Sequence, residues 1–170
     1  MSIQLKKCGQ LRLCLDPRRL NEALVREAFH TAALDEALPE LSQERVFSKF
    51  DLADGFWLEE LDELSSKLTT FQTPFGRYRF RRLPFGPSVG PEIFYKRLFV
   101  TLVGLPGLVA LADDVLVFGR GPTGEEAQKD HDGNLKAFLY RCLETGIKLS
   151  KDKAKLRVGS TKLFGILISD

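Results

Sequence analysis

Two apolar runs, Leu108-Val109-Ala110-Leu111-Ala112 and Val115-Leu116-Val117-Phe118, are separated only by Asp113-Asp114. Each run has the length and composition of a short buried strand, and so small a gap folds them back as a hairpin. Two adjacent carboxylates then sit between elements that exclude water, where like charges repel unless a cation neutralises them. A plain solvent-exposed Asp-Asp turn is the alternative, and turn propensity alone favours it. A third acidic residue shifts the balance: Val46, Phe47 and Phe50 lead into Asp51 as another buried strand. A sheet that sets this strand beside the hairpin would gather three carboxylates at one edge.

Carboxylate oxygens suit Mg²⁺ or Mn²⁺. Two such ions roughly 4 Å apart activate a 3′-hydroxyl and stabilise a leaving pyrophosphate, which is polymerase chemistry. Other classes recede. With 170 residues, 44% hydrophobic and 28% charged, the chain fits one domain or two small subdomains sharing a core. Cys8, Cys14 and Cys142 show no CxxC spacing, and His30 and His131 lie far apart, which argues against a zinc site or a disulfide scaffold. No apolar stretch approaches the roughly 20 residues of a membrane span, so no membrane partner is expected and an intracellular protein is the default. Whether its place is a cytoplasmic particle or the nucleus stays open.

The formal charge of +2 hides a sharp alternation. Residues 30–66 carry two basic and ten acidic groups, whereas 67–97 carry seven basic and one acidic. Within the basic block, Arg77-Tyr78-Arg79-Phe80-Arg81 has the strand period of two, placing guanidiniums on one face and aromatics on the other. Leu68–Thr73 and this run, joined by Pro74-Phe75-Gly76, are predicted to form a hairpin. Further predicted elements are a strand over 11–15 and a helix around Leu34–Leu41 interrupted by Pro39. A helix over about 88–102 is expected to use Ile93, Phe94, Leu98 and Leu102 as apolar positions. A long helix over about 124–145 has Leu135, Phe138, Leu139, Cys142 and Leu143 inward and Gly146 as its cap. Ala154–Val158 and Leu163–Ile168 are expected as a closing hairpin. The fold class is α/β: an antiparallel sheet carrying the aspartates, helices on one face, and a smaller β-rich portion.

Five segments in order, Leu13–Asn21, Val46–Asp51, Phe75–Tyr78, Leu83-Pro84-Phe85-Gly86 and Ala112-Asp113-Asp114, make the chain resemble reverse transcriptases of gypsy-type LTR retrotransposons. The resemblance implies a fingers-palm piece, with about 1–45 and 68–87 as fingers and about 46–67 and 88–170 as palm. It implies an RNA-directed DNA polymerase using two Mg²⁺ or Mn²⁺ ions, dNTPs and a primer-template of RNA or DNA. Other parts of a retroelement polyprotein are the implied protein partners. Asp51 and Asp113 would hold both ions, with Asp114 the third acidic member. Phe56 stands where the family places an aromatic gate against a ribose 2′-hydroxyl, unless it is simply a core aromatic. Arg12, with Lys7 or Lys6, matches cations that contact the triphosphate, although a solvated hairpin tip explains the lysines equally. Phe85 lies in the segment beneath nucleotide and template. Leu163-Phe164-Gly165 resembles the primer grip, or else an ordinary core hairpin. Arg77, Arg79 and Arg81 would face template phosphates.

The pattern also breaks. Leu111 stands where the family usually has a tyrosine near the primer terminus, keeping bulk and losing a hydroxyl. No thumb, connection or RNase H region is recognisable, so weak grip on duplex is expected. A catalytically inactive or co-opted remnant that binds nucleic acid is the competing expectation.

Overall fold

A computed structural model describes residues 2–5, 9, 11–26, 46–163 and 166–169. The helix expected around Leu34–Leu41 lies outside the described residues, as do Lys6, Lys7, Cys8, Phe164 and Gly165. The chain divides into two compact units, 1–29 with 54–96 and 30–53 with 97–170.

In the first unit, β1 (Ser2–Leu5) pairs antiparallel with β2 (Leu11–Cys14), and the short α1 (Arg18–Ala23) follows the Asp16-Pro17 stop. Next come a 3₁₀ turn at Gly55–Leu58, α2 (Glu63–Leu68), and the hairpin of β4 (Phe71–Thr73) and β5 (Gly76–Tyr78). Asp62 caps α2, its Oδ1 accepting the Ser65 N–H at 2.7 Å. This cap starts a helix that runs through Leu68, which corrects the expected strand from 68 onward. The basic strand also ends early, at Tyr78, because the chain then turns to bond residues 59–61: Leu61 N–H donates to Arg81 O and Leu83 N–H to Glu59 O. Its aromatic side survives this turn, with Phe71 against Tyr78 (6.2 Å) and Phe80 (5.3 Å between centroids). The acidic and basic blocks meet here as ion pairs, Arg79 with Glu63 and Arg82 with Glu60, both at 2.7 Å.

The helix α3 (Gly90–Leu102) buries Phe94, Leu98 and Leu102 but leaves Ile93 exposed. The second unit is built on a four-stranded antiparallel sheet in the order β6-β7-β3-β8, from β6 (Leu108–Leu111), β7 (Asp114–Gly119), β3 (Val46–Asp51) and β8 (Lys155–Val158). One face carries Phe47, Leu111, Leu116 and Phe118 as a buried cluster. Against the other packs α4 (Gly124–Thr145), started by a Thr123/Glu126 capping box and stopped by Gly146 at φ 72°.

The buried stripe of α4 is Ala127, His131, Asn134, Phe138 and Cys142; Leu139 and Leu143 are exposed, against the expected inward set. Hydrogen bonding rotates the stripe. Asn134 Nδ2 donates to Phe118 O at 3.0 Å, and His131 Nε2 lies 2.8 Å from Ser48 Oγ on β3. At the close, β8 joins the sheet edge, and the hairpin is made instead by β9 (Ser160–Leu163) and β10 (Ile166–Ser169). The expected pairing of 154–158 with 163–168 is thereby corrected: β8 finds its backbone partners on β3.

His131 lies at the centre of a closed polar ring. Its Nδ1 is 3.1 Å from Asp132 Oδ1, Arg157 donates to both Asp132 oxygens, and the Arg157 N–H donates to Ser48 Oγ. A β-bulge opposite Phe47–Lys49 and the left-handed Arg157 backbone (φ 50°) place that N–H. The serine-histidine-carboxylate order imitates a nucleophile, but Ser48 and His131 are fully buried, so the ring ties β8 and α4 to β3. His131 and then Arg157 hold the Asp132 carboxyl below its ordinary value. A depressed carboxyl contributes stability above its unfolded pKa, and that contribution is lost as pH falls through the folded value. The stability gap between wild type and Asp132→Asn is therefore expected to be largest near neutral pH. It should shrink as pH drops below about 4, measured by urea denaturation at each pH; a gap that widens in acid would contradict the assignment.

Candidate active site

Strand register creates the acidic edge. Asp51, last in β3, is the Cα partner of Asp114, first in β7, and Asp114 is in turn the partner of Leu111, last in β6. The three residues form one cross-strand row, on the face that bears Phe47, Leu116 and Phe118. The turn between β6 and β7 is therefore Ala112-Asp113, not Asp113-Asp114 as the apolar runs predict. Its first residue takes a left-handed backbone (φ 48°), the conformation a two-residue hairpin demands. Asp113 carries the turn against β3's exit, its carbonyl accepting the Leu52 N–H at 2.8 Å.

Each carboxylate of the row has a lysine. Lys49 Nζ lies 2.7 Å from Asp114 Oδ2, and Lys153 Nζ lies 2.8 Å from Asp51 Oδ2. The Asp51 hydrogen bond holds Lys153 above its ordinary pKa despite some burial, and the charges of Asp51, Asp113 and Asp114 add to the effect. All three aspartates thus project negative potential onto one point. Among the described residues, no three acidic, histidine or cysteine side chains are gathered tightly enough to hold an ion as they stand. The donor set nevertheless fits a hard divalent cation: it is all oxygen, and the ammonium already drawn to Asp51 shows the preference for positive charge.

Lys49 was legible in the sequence, since two residues before Asp51 on a strand means the same face. Lys153 carried no such signal; its contact spans 102 positions.

In the first unit, Arg12, Phe85, Phe56 and Phe94 form a continuous chain of cation-ring and tilted or edge-on ring contacts. The Arg12 guanidinium carbon lies 4.4 Å from the Phe85 ring centroid, Phe85 is 4.9 Å from Phe56, and Phe56 is 5.6 Å from Phe94. Three of the residues expected at the nucleotide are thereby brought together. Arg12 Nε is buried without a hydrogen-bond partner among the described residues, a feature that favours an anion nearby. Hydrogen bonds fix this chain: Leu15 N–H donates to Phe85 O at 2.8 Å, and the Asn21 side chain bridges Gly86 O and Ser88 N–H. Gly86 is required here, with φ 129° and the Leu15 carbonyl oxygen 2.2 Å from where a Cβ would lie.

Arg77, Arg79 and Arg81 are exposed, but they do not form one evenly spaced strand face, because β5 ends at Tyr78. Arg79 and Arg81 instead line an open polar cleft of about 430 Å³ with Arg82, Glu60 and Glu63. Of the expected grip, Leu163 closes β9 as the Cα partner of Ile166.

An antiparallel sheet with a carboxylate row at its edge and a long helix on its back is the palm of a polymerase. The chain's residues 4–168 match the family model described as reverse transcriptase (RNA-dependent DNA polymerase), and the chain belongs to that family. It is 31% identical over 166 residues to the enzymatic polyprotein of Cauliflower mosaic virus (strain D/H), covering 97% of this chain and 24% of that one. Identity is 32% over 161 residues with the retrovirus-related Pol polyprotein from transposon 412 of Drosophila melanogaster, covering 94% and 12%. The chain thus spans a quarter or less of these relatives, and it is a reverse transcriptase domain of the kind retroelement polyproteins carry. In fold it is similar to a foamy viral protease-reverse transcriptase in complex with double-stranded DNA, with TM-score 0.86 and 23% identity over 98% of this chain and 28% of that one. It is also similar to the foamy viral enzyme in complex with an RNA/DNA hybrid, with TM-score 0.81 and 22% identity over 98% and 22%.

Proposed function

We propose that this chain is the fingers-palm part of a gypsy-type RNA-directed DNA polymerase that adds dNTPs to a primer 3′-hydroxyl on an RNA or DNA template. The observation that carries the reading is the cross-strand row Asp51-Asp114-Leu111 with Asp113 in the adjoining turn. Asp51, Asp113 and Asp114 would hold two Mg²⁺ or Mn²⁺ ions, which when bound activate the attacking hydroxyl and stabilise the leaving pyrophosphate.

The chain's own residues position the reactants. Arg12, preorganised on Phe85, offers a planar fork to phosphate oxygens, and Lys7 adds charge. Phe56, braced by Phe85 and Phe94, excludes a ribose 2′-hydroxyl. Arg77, Arg79 and Arg81 attract template phosphates, and Leu163-Phe164-Gly165 holds the primer end. Residues 1–45 and 68–87 serve as fingers and 46–67 and 88–170 as palm. Similar structures that hold duplex DNA or an RNA/DNA hybrid support a primer-template partner, and relatives that are polyproteins support other parts of a retroelement polyprotein as protein partners.

The test is primer extension by the 170-residue chain on an RNA template with an annealed DNA primer, with Mg²⁺ and separately Mn²⁺. Metal-dependent extension supports the reading. A folded protein that binds primer-template without extending it favours the remnant reading, for which Leu111 in the row is the specific observation. Phe56→Ala, if extension occurs, is expected to raise rNTP use relative to dNTP about 10- to 100-fold, since losing one steric contact in a pocket shifts discrimination by that order. Unchanged selectivity in a competition assay would remove Phe56 from the gate.

A further inference from the structure

The two lysines at the acidic edge are not equivalent. Their contacts have nearly the same length, 2.7 and 2.8 Å, and the two carboxylates are equally accessible. The lysines differ: the side chain of Lys49 is 19% exposed and that of Lys153 is 65% exposed. Lys49 belongs to β3, two residues from Asp51 on the same strand face, with Phe47 beyond it. Lys153 ends the 3₁₀ turn Lys151–Lys153, and its stem stands in solvent.

We propose that Lys153 is a displaceable lock on the candidate ion site: its ammonium occupies Asp51 until a divalent cation takes its place, whereas Lys49 is a fixed counter-charge for Asp114. This rests on reading Asp51, Asp113 and Asp114 as the ion-binding carboxylates. A pair whose lysine stands in solvent holds little free energy, because water and salt compete for the ammonium. A divalent cation brings twice the charge to the same oxygens and gains further ones from Asp113. A lysine on a flexible four-carbon stem swings into water at small cost. Lys49 cannot leave so readily, since its own side chain lies on β3 and is only 19% exposed, so that its ammonium reaches water only by moving a mostly buried stem.

The lock has a measurable signature. If the closed pair is populated about 70–90% of the time, only the remaining fraction is competent to bind an ion, and removing the lysine tightens apparent affinity about 3- to 10-fold. The experiment is a Mn²⁺ titration of the full chain, without nucleotide or nucleic acid, reading free Mn²⁺ by electron paramagnetic resonance. Lys153→Gln is expected to tighten binding about 3- to 10-fold. Lys153→Arg keeps the charge and should leave affinity near wild type. Lys151→Gln, which removes an equal charge from the same turn, should change affinity less than about twofold, separating a specific lock from general repulsion. An unchanged or weaker affinity in Lys153→Gln, or an equal gain in Lys151→Gln, overturns the lock. Asp51→Asn distinguishes the underlying reading: loss of Mn²⁺ binding in that variant together with no effect of Lys153→Gln rejects the lock alone. Wild-type binding in Asp51→Asn, or no binding by either wild type or Lys153→Gln, rejects the ion site and the lock with it.

Discussion

Asp113→Asn is expected to lower single-turnover primer extension by about 10³-fold or more while leaving the protein folded. The carboxylate and the amide have nearly the same shape, and the backbone bond that Asp113 makes, its carbonyl to Leu52 N–H, is untouched by the exchange. Under the proposed function the exchange removes a charged oxygen donor to a divalent ion, whose stabilisation of the transition state is worth several kcal/mol, and each 1.36 kcal/mol is about tenfold in rate. Asp114→Asn should be milder, because Lys49 at 2.7 Å already offsets that carboxylate. Retention of more than about a tenth of wild-type extension by Asp113→Asn would exclude it as an ion ligand. Far-ultraviolet circular dichroism and the urea midpoint of the same preparation establish that the loss is chemical.

Legibility in the sequence followed the range of the interactions. Short apolar runs point to β3, β6 and β7, and the sheet that brings Asp51 beside the hairpin follows from three buried strands needing one another. The long helix ends where Gly146 supplies a left-handed cap, a local signal read without tertiary information. Misreadings arose where a distant partner decided. Two adjacent charges predict a turn at Asp113-Asp114, but strand pairing with Asp51 and Leu111 draws Asp114 into β7 and shifts the turn to Ala112-Asp113. Leu68 looked like strand until Asp62, six residues earlier, capped a helix through it.

The site divides in the same way. Asp51, Asp113 and Asp114 are visible as carboxylates beside apolar runs, and the family resemblance points to Arg12, Phe56 and Phe85, which the structure brings into contact. Lys153 was invisible because nothing in a ten-residue window ties it to Asp51. The polar ring was invisible for the same reason: Ser48, His131 and Arg157 come from three separate elements. Only the burial of Ser48 and His131 shows that a nucleophile-like order is a structural tie.

Phe138→Ala is expected to produce the opposite phenotype from Asp113→Asn, a destabilised protein whose remaining folded fraction keeps its site. Phe138 is fully buried on α4, with its ring 5.3 Å from Phe50 of β3. Truncation deletes that contact and leaves a cavity between helix and sheet, costing about 3–5 kcal/mol. Against the 5–15 kcal/mol typical of a whole domain, roughly, this is a large share. Leu143→Ala, on the same helix, is the control. Amphipathic spacing assigned Leu143 to the core, yet its residue is 79% exposed, so its loss should stay within about 0.5 kcal/mol. Urea denaturation of the three proteins decides between the two orientations of α4. Equal costs for Phe138→Ala and Leu143→Ala would mean that the helix packs by its leucine spacing. A large cost for Phe138 alone means that His131 and Asn134, bonded to Ser48 and to the Phe118 carbonyl, set its rotation. In that case a polar pair selects which apolar residues become core, and Phe50, one residue before Asp51, is held in place by the same choice.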